Sequence, residues 1–265
     1  MSNNFNENGY IIVKNLINKD NINKILEKIK TFEDNIIKSN KLESYYVLEN
    51  SETGKYIKYM SKPIEYITNI NQLVNGKVFK IASELLGEDV FLLGNDLHQK
   101  YPNSDSITPS HQDSFLAGSV PPHNFLTIWI ALDYCNEENG CLQVVKGSHK
   151  LDVQEHYKSK HTAFSSTLQE DGKIPNKFKD DIIKSELNPG DAIVFHGNTI
   201  HYADGNKSKN NWRRGISLRF ANDSYKTHDM YKDSYKKYLN YNRNITHEKG
   251  LSTKSTFVAQ LDEKL

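Results

Sequence analysis

The chain is poor in cysteine. Cys135 and Cys141 are its only two in 265 residues, which excludes a disulfide-stapled scaffold, and a reducing compartment would keep both as thiols. Nor do they have the paired spacing of a closed zinc site. Charge of a single sign is also lacking. Lys and Arg number 34 against 33 Asp and Glu, a formal net charge of +1, so no overall field favours nucleic acid or an anionic membrane, and lysine-rich patches read as solvated faces. No stretch approaches the ~18 consecutive apolar residues of a membrane span, and Met1 to Phe5 lack the basic and apolar regions of a signal peptide. These absences lead us to expect a cytoplasmic protein with no membrane and no nucleic-acid partner. No Pro/Gly/Ser-rich linker and no internal repeat divides the chain, so one domain over residues 1–265 is expected. Hydrophobic residues are sparse at 37%, but an aromatic content of 11%, with 15 Tyr, supplies bulk for a core.

The first 89 residues read as a strand and covering helices. Gly9 to Leu16 is a short apolar segment. Ile22, Ile25, Leu26, Ile29 and Phe32 then recur at helical spacing behind Asn18, a residue suited to the N-cap. Residues 40–68 have no clean period, with strand character at Tyr45 to Leu48 and Tyr56 to Met60. Val74, Val78, Ile81, Ala82, Leu85 and Leu86 mark one face of a second helix, which Gly87 closes and which should cover a sheet. From Val90 the pattern changes to short strand-like runs separated by turn residues: Val90–Tyr101, His111–Phe115, Phe125–Asp133, Leu142–Val145, Ala192–His196 and Arg213–Asn222. Such runs over 90–222 suit a mainly β fold with flanking helices, a double-stranded β-helix of the jelly-roll, cupin-like kind. Residues 149–185 carry few periodic apolar positions, and we expect a lid insertion there. Beyond it, 223–265 reads as a C-terminal helical extension, with Tyr231, Tyr235 and Tyr238 on one face.

Within the strand-rich part, Pro109-Ser110-His111-Gln112-Asp113 carries the chemistry. On an extended chain His111 and Asp113 project to the same side because side chains alternate with period 2. A distant histidine on a neighbouring strand, His201, can complete two imidazoles and one carboxylate on one face of a metal. That set suits non-haem Fe(II), because three adjacent positions stay open for a bidentate 2-oxo acid and for O2. Alone, His-x-Asp is a weak signal, and the competing explanation is a core histidine beside a turn aspartate.

The neighbours sharpen it. Phe5-x-x-x-Gly9-Tyr10 stands near the start, and Trp129-Ile130-Ala131-Leu132, Asn139-Gly140-Cys141-Leu142 and Lys146-Gly147-Ser148-His149 follow the metal pair. Pro189-Gly190-Asp191 leads to His201, and Trp212-Arg213-Arg214 comes after it. In this order and at these spacings the chain resembles the phytanoyl-CoA dioxygenase family of Fe(II)/2-oxoglutarate oxygenases, from about Phe5 to Phe220, with Lys146 where the family usually has proline. The resemblance implies a dioxygenase that takes Fe(II), 2-oxoglutarate and O2, hydroxylates a C–H bond of a small metabolite, and releases succinate and CO2. The same cofactors serve desaturation, cyclisation or epimerisation. Asp113 stands where halogenating relatives have a small residue, so halogenation is not expected.

A 2-oxo acid also needs its far carboxylate held, a task for a planar guanidinium. Arg213 and Arg214 compete for it. Arg213 shares a strand face with Gly215 and Ser217, whereas Arg214 shares the other with Ile216, Leu218 and Phe220. The smaller, more polar face should look into the cavity, which favours Arg213 with Ser217 beside it. The family pattern points to the same arginine, and to Trp129 as a ring beside the oxo acid. Asp96 and His98 share one face of the preceding strand and are weaker candidates for the same pocket, while Arg219 is expected to pair with an acid. We expect a small polar or amphipathic substrate and a monomer or homodimer. A non-catalytic metal-binding or sensory protein on the same barrel is the competing function.

Overall fold

The computed structural model describes residues 1–39, 43–68, 70–74, 76–87, 90–121, 123–161, 164–222 and 224–226. In chain order its helices are α1 (Ser2–Asn8), α2 (Lys19–Ser39), α3 (Pro63–Tyr66), α4 (Gly76–Leu86) and α5 (Asp113–Leu116). The strands are β1 (Tyr10–Val13), β2 (Tyr46–Ser51), β3 (Gly54–Ser61), β4 (Val90–Lys100), β5 (Thr108–His111), β6 (Phe125–Ala131), β7 (Gln143–Val145), β8 (Tyr157–Lys158), β9 (Ser166–Thr167), β10 (Ile182–Lys184), β11 (Ala192–His196), β12 (His201–Ala203) and β13 (Arg213–Asn222). They form a mainly β architecture of antiparallel sheets, the expected jelly-roll class.

A seven-stranded sheet runs β1-β11-β6-β13-β4-β3-β2, and a four-stranded sheet runs β10-β7-β12-β5. Period-2 alternation gives the large sheet two distinct faces. Leu126, Ile128 and Ile130 of β6, Ile216, Leu218 and Phe220 of β13, and Ala192 and Val194 of β11 point outward into the main core. The helices close that core. In α2, Ile22, Ile25 and Ile29 are buried, and Asn18 caps it by accepting the Asn21 backbone N–H at 2.8 Å. Phe79 of α4 packs edge-on against Phe220 at 5.2 Å between ring centroids, so this helix does cover the sheet.

The other face of the same strands carries Thr127, Trp129, Phe195, Arg213, Ser217 and Arg219 toward the small sheet. Gly215 is what permits this packing, since a β-carbon at that position would run into the Trp129 ring.

Four features differ from the sequence reading. The run expected as a strand from His111 to Phe115 ends at His111, and Asp113 opens a short helix. The strand of His201, β12, is not among the strand-like runs of the sequence, because its three residues are too few to show a period. Part of 149–185 is regular, because β10 belongs to the small sheet, paired with β7, and β8 and β9 form a hairpin. Finally, α1 precedes the first strand and ends at Gly9, at φ 79°. The tyrosine face at Tyr231, Tyr235 and Tyr238 lies outside the described residues.

Candidate metal centre and cosubstrate pocket

The two histidines meet by strand pairing. His201 of β12 is directly opposite His111 of β5 in the antiparallel register, and their ring centroids are 4.1 Å apart. Asp113 joins them because Gln112 stays extended at φ −112°, ψ 128°, returning the carboxylate to the side His111 faces. One ligand atom from each of the three lies within 4.8 Å of the others, and all three residues are buried. Asp113 Oδ1 is 3.4 Å from His111 Nε2 and 3.7 Å from His201 Nε2.

Both rings are turned for ligation. The His111 Nδ1 position bonds to the Pro109 carbonyl at 2.6 Å and that of His201 to the Thr199 carbonyl at 3.0 Å. A carbonyl only accepts, so Nδ1 carries the proton and Nε2 keeps its lone pair toward the third ligand. Burial, then the neighbouring His111, pushes His201 down to about 3, leaving it a neutral imidazole at neutral pH. Burial acts to raise Asp113, but the Arg219 charge, with His201 and His111, outweighs it and holds the carboxyl well below its usual range. Two imidazoles with Nε2 turned to one point, that of His201 neutral, and an ionised carboxylate are the donor set a divalent non-haem iron takes.

Around this cluster lies a cavity of about 140 Å³. Two wider depressions, of about 860 and 580 Å³, open on the outer surface by Tyr157 and Phe178 and by Glu49 and Tyr101, away from the cluster. The four other residues expected at the site, His98, Trp129, Arg213 and Ser217, all line the cavity. Burial pushes His98 down to about 3, although Asp96 acts in the opposite direction.

Arg213 and Arg214 have separate fates. Arg214 is held by Asp133 in a fork, Nε to Oδ2 at 2.8 Å and Nη2 to Oδ1 at 2.7 Å, and stacks over Trp212. Arg213 is 2% exposed, donates its Nε–H to the Gly140 carbonyl at 2.9 Å, and lies 5.6 Å from the Trp129 ring centroid. Among the described residues no carboxylate forms an ion pair with it.

Sequence reasoning missed Tyr59, Thr108, Leu116, Leu142, Phe164 and Phe195 in the wall. Their signal is weak because each comes from a different element. Phe164, inside the segment expected as a lid, packs 5.6 Å from the His111 ring and 6.4 Å from His98. The family-like turns are structural. Gly140 and Gly147 have φ of 77° and 76°, and the Ser148 hydroxyl bonds the Val145 carbonyl at 2.7 Å.

Residues 5–215 match the family described as phytanoyl-CoA dioxygenase (PhyH). The chain belongs to the phytanoyl-CoA dioxygenase family. Among its relatives, the dioxygenase lolE1 of Epichloe uncinata is 28% identical over 65% of this chain and 62% of its own. A 2-aminoethylphosphonate dioxygenase of the uncultured bacterium HF130_AEPn_1 is 27% identical over 73% of this chain and 71% of its own. The chain thus spans under two thirds of the first of these relatives. The fold is shared with the epimerase SnoN, solved in complex with Fe3+, alpha ketoglutarate and nogalamycin RO, at a TM-score of 0.67 and 18% identity, covering 88% of this chain and 86% of that one. Members of the phytanoyl-CoA dioxygenase family are thus similar to this chain over the whole stretch that carries the histidine pair, the aspartate and Arg213. No helix among the described residues is long and apolar enough to cross a membrane.

Proposed function

We propose that this protein is an Fe(II)- and 2-oxoglutarate-dependent dioxygenase acting on a small polar or amphipathic molecule, with hydroxylation of a C–H bond as its reaction. The observation that carries this reading is Arg213, a buried cation that no carboxylate among the described residues pairs with, facing the same cavity as two imidazoles and one carboxylate. Burying a charge unpaired is costly, so the arrangement calls for an anionic ligand. A 2-oxo diacid supplies one carboxylate for Arg213 and a second, with its oxo group, for a metal.

His111 and His201 would hold iron through Nε2 and Asp113 through a carboxylate oxygen. Iron with 2-oxoglutarate and O2 supplies C–H oxidation, with succinate and CO2 as coproducts. Arg213 would fix the far carboxylate and so orient the cosubstrate. Trp129, Leu142 and Phe195 form an apolar wall that keeps water from its carbon chain. Ser217, directly opposite Trp129 in the β6–β13 ladder, adds a hydroxyl on that side, and His98 contributes a neutral imidazole. Tyr59, Leu116 and Phe164 also line the cavity and would meet the substrate.

In this reading the chain is one oxygenase domain over 1–265, residues 149–185 are the cover of the mouth, and Phe164 is the part that reaches the ligands. Two buried free thiols, Cys135 and Cys141, support a cytoplasmic location, and we take the protein as a monomer or homodimer. The test is anaerobic addition of Fe(II) and 2-oxoglutarate, which should give a visible charge-transfer band, followed by succinate release in air. A band without any succinate, across a screen of small polar molecules, would leave a binding protein instead of an enzyme.

A further inference from the structure

The two oxygens of Asp113 have different surroundings. Oδ1 faces the histidine nitrogens, whereas Oδ2 accepts the Thr127 hydroxyl at 2.7 Å and lies 3.5 Å from Arg219 Nε. Thr127 and Arg219 are direct partners in the β6–β13 ladder, so a single cross-strand pair reaches this oxygen from the floor of the cavity. Thr127 carries the only hydroxyl in Phe125–Ala131, and it is 1% exposed. A valine would fill nearly the same volume without a hydroxyl, so the Thr127 side chain differs from it by the hydrogen bond to Oδ2. Arg219 is itself anchored. Asp96 pairs with its Nη1, and the Tyr59 hydroxyl holds Asp96 at 2.7 Å.

Building on the metal-site reading above, we propose that Thr127 and Arg219 are positioning residues that clamp Oδ2, so that Asp113 meets a divalent metal through Oδ1 alone. A carboxylate binds a metal through one oxygen or two, and the choice sets how many positions remain for other ligands. Swinging Oδ2 onto the metal would break the Thr127 hydrogen bond and draw the carboxylate from Arg219. With that motion opposed, Asp113 occupies one position, and the three adjacent open positions of a facial site are kept. Groups that orient ligands in this way typically change metal affinity by about 10–100-fold when removed.

The test uses Mn(II) with the full chain and no cosubstrate, so that binding is read without activity. Thr127→Val should weaken Mn(II) binding by calorimetry by about tenfold or more, and Thr127→Ser should restore it. Loss of Arg219 alone would also strand Asp96, so the informative variant is Asp96→Asn with Arg219→Gln, which removes both charges of that pair. It too should bind Mn(II) more weakly than the parent. Crystals of the Mn(II)-loaded parent should show Oδ1 as the single Asp113 ligand, and those of Thr127→Val should show Oδ2 drawn to the metal. If the parent binds Mn(II) but Thr127→Val and the double variant match it within about twofold, or if the parent binds through both oxygens, the clamp is wrong. A parent that takes up no Mn(II) overturns the metal site itself, and the clamp with it.

Discussion

The seven-stranded and four-stranded sheets face one cavity, yet they are held by different forces. The large sheet buries its outer face against α2 and α4, with Ile128, Ile130, Ile216, Leu218 and Phe220 each 0% exposed. Apolar burial of this kind stabilises by roughly 25 cal/mol per Å² and depends little on direction. The small sheet has strands of three or four residues, so side-chain hydrogen bonds supplement its ladders. Gln112 Nε2 donates to the Asn198 carbonyl at 2.9 Å, and Asn198 Nδ2 reaches the His149 carbonyl at 3.2 Å. Gln143 bonds Asp204 at 2.9 Å, and Tyr202 bonds its other oxygen at 2.6 Å. Directional bonds of this type fix side-chain angles, which a ligand set needs, while the apolar sheet supplies the stability that short strands cannot.

The sharpest way to break this contrast is to remove a ligand. His111→Ala and His201→Ala should each abolish succinate formation and leave a folded protein, since the stability resides in the other sheet. Circular dichroism beside the activity assay checks both halves, and unfolding of either variant would mean that the small sheet is a core element. Next in size is Phe220→Ala, which should cost about 3–5 kcal/mol in denaturant unfolding while leaving the Fe(II) affinity of the folded protein near the parent value.

Arg213→Leu should raise the 2-oxoglutarate requirement roughly tenfold to a hundredfold, the ~1.5–3 kcal/mol of a charge-assisted hydrogen bond. Arg214→Leu should instead act on stability through Asp133, and equal effects on cosubstrate from both would erase the distinction between the two faces of β13. Without substrate, amides in the irregular parts of 149–185 should exchange faster than those of Ala192 to His196, and a true substrate should slow them. Equal protection in the free protein would make the segment a structural element instead of a cover.

The smallest effect concerns pH. His98 is held at about 3 in the fold and returns to about 6.5 when unfolded. The unfolded chain therefore binds more protons between these values, and stability falls as pH drops from about 6.5 toward 3. His98→Gln should flatten that fall in the metal-free protein by up to one proton per molecule. A melting curve series with unchanged slope would mean that water reaches His98.

Sequence alone determined the elements that repeat a period and the residues whose chemistry is rare. The apolar recurrence in α2 and α4 and the two unlike faces of β13 each reflect a regular element against a core, and the apolar runs of β6 and β11 reflect strands buried on both sides, so composition and spacing carry them. His111, Asp113 and His201 were legible because the family order of motifs surrounds them, and Arg213 because Gly215 and Ser217 mark the polar face of its strand. Only the tertiary structure decided the register that sets His201 opposite His111, the pairing of Arg214 with Asp133, and the approach of Phe164 to the ligands. It also decided that Thr127, a single hydroxyl in an apolar strand, lies beside Arg219 against one oxygen of Asp113. These are contacts between residues from 14 to 106 positions apart that come from different strands and loops. What joins them is cross-strand registration, and that is fixed by the packing of the whole domain rather than by any local run of residues.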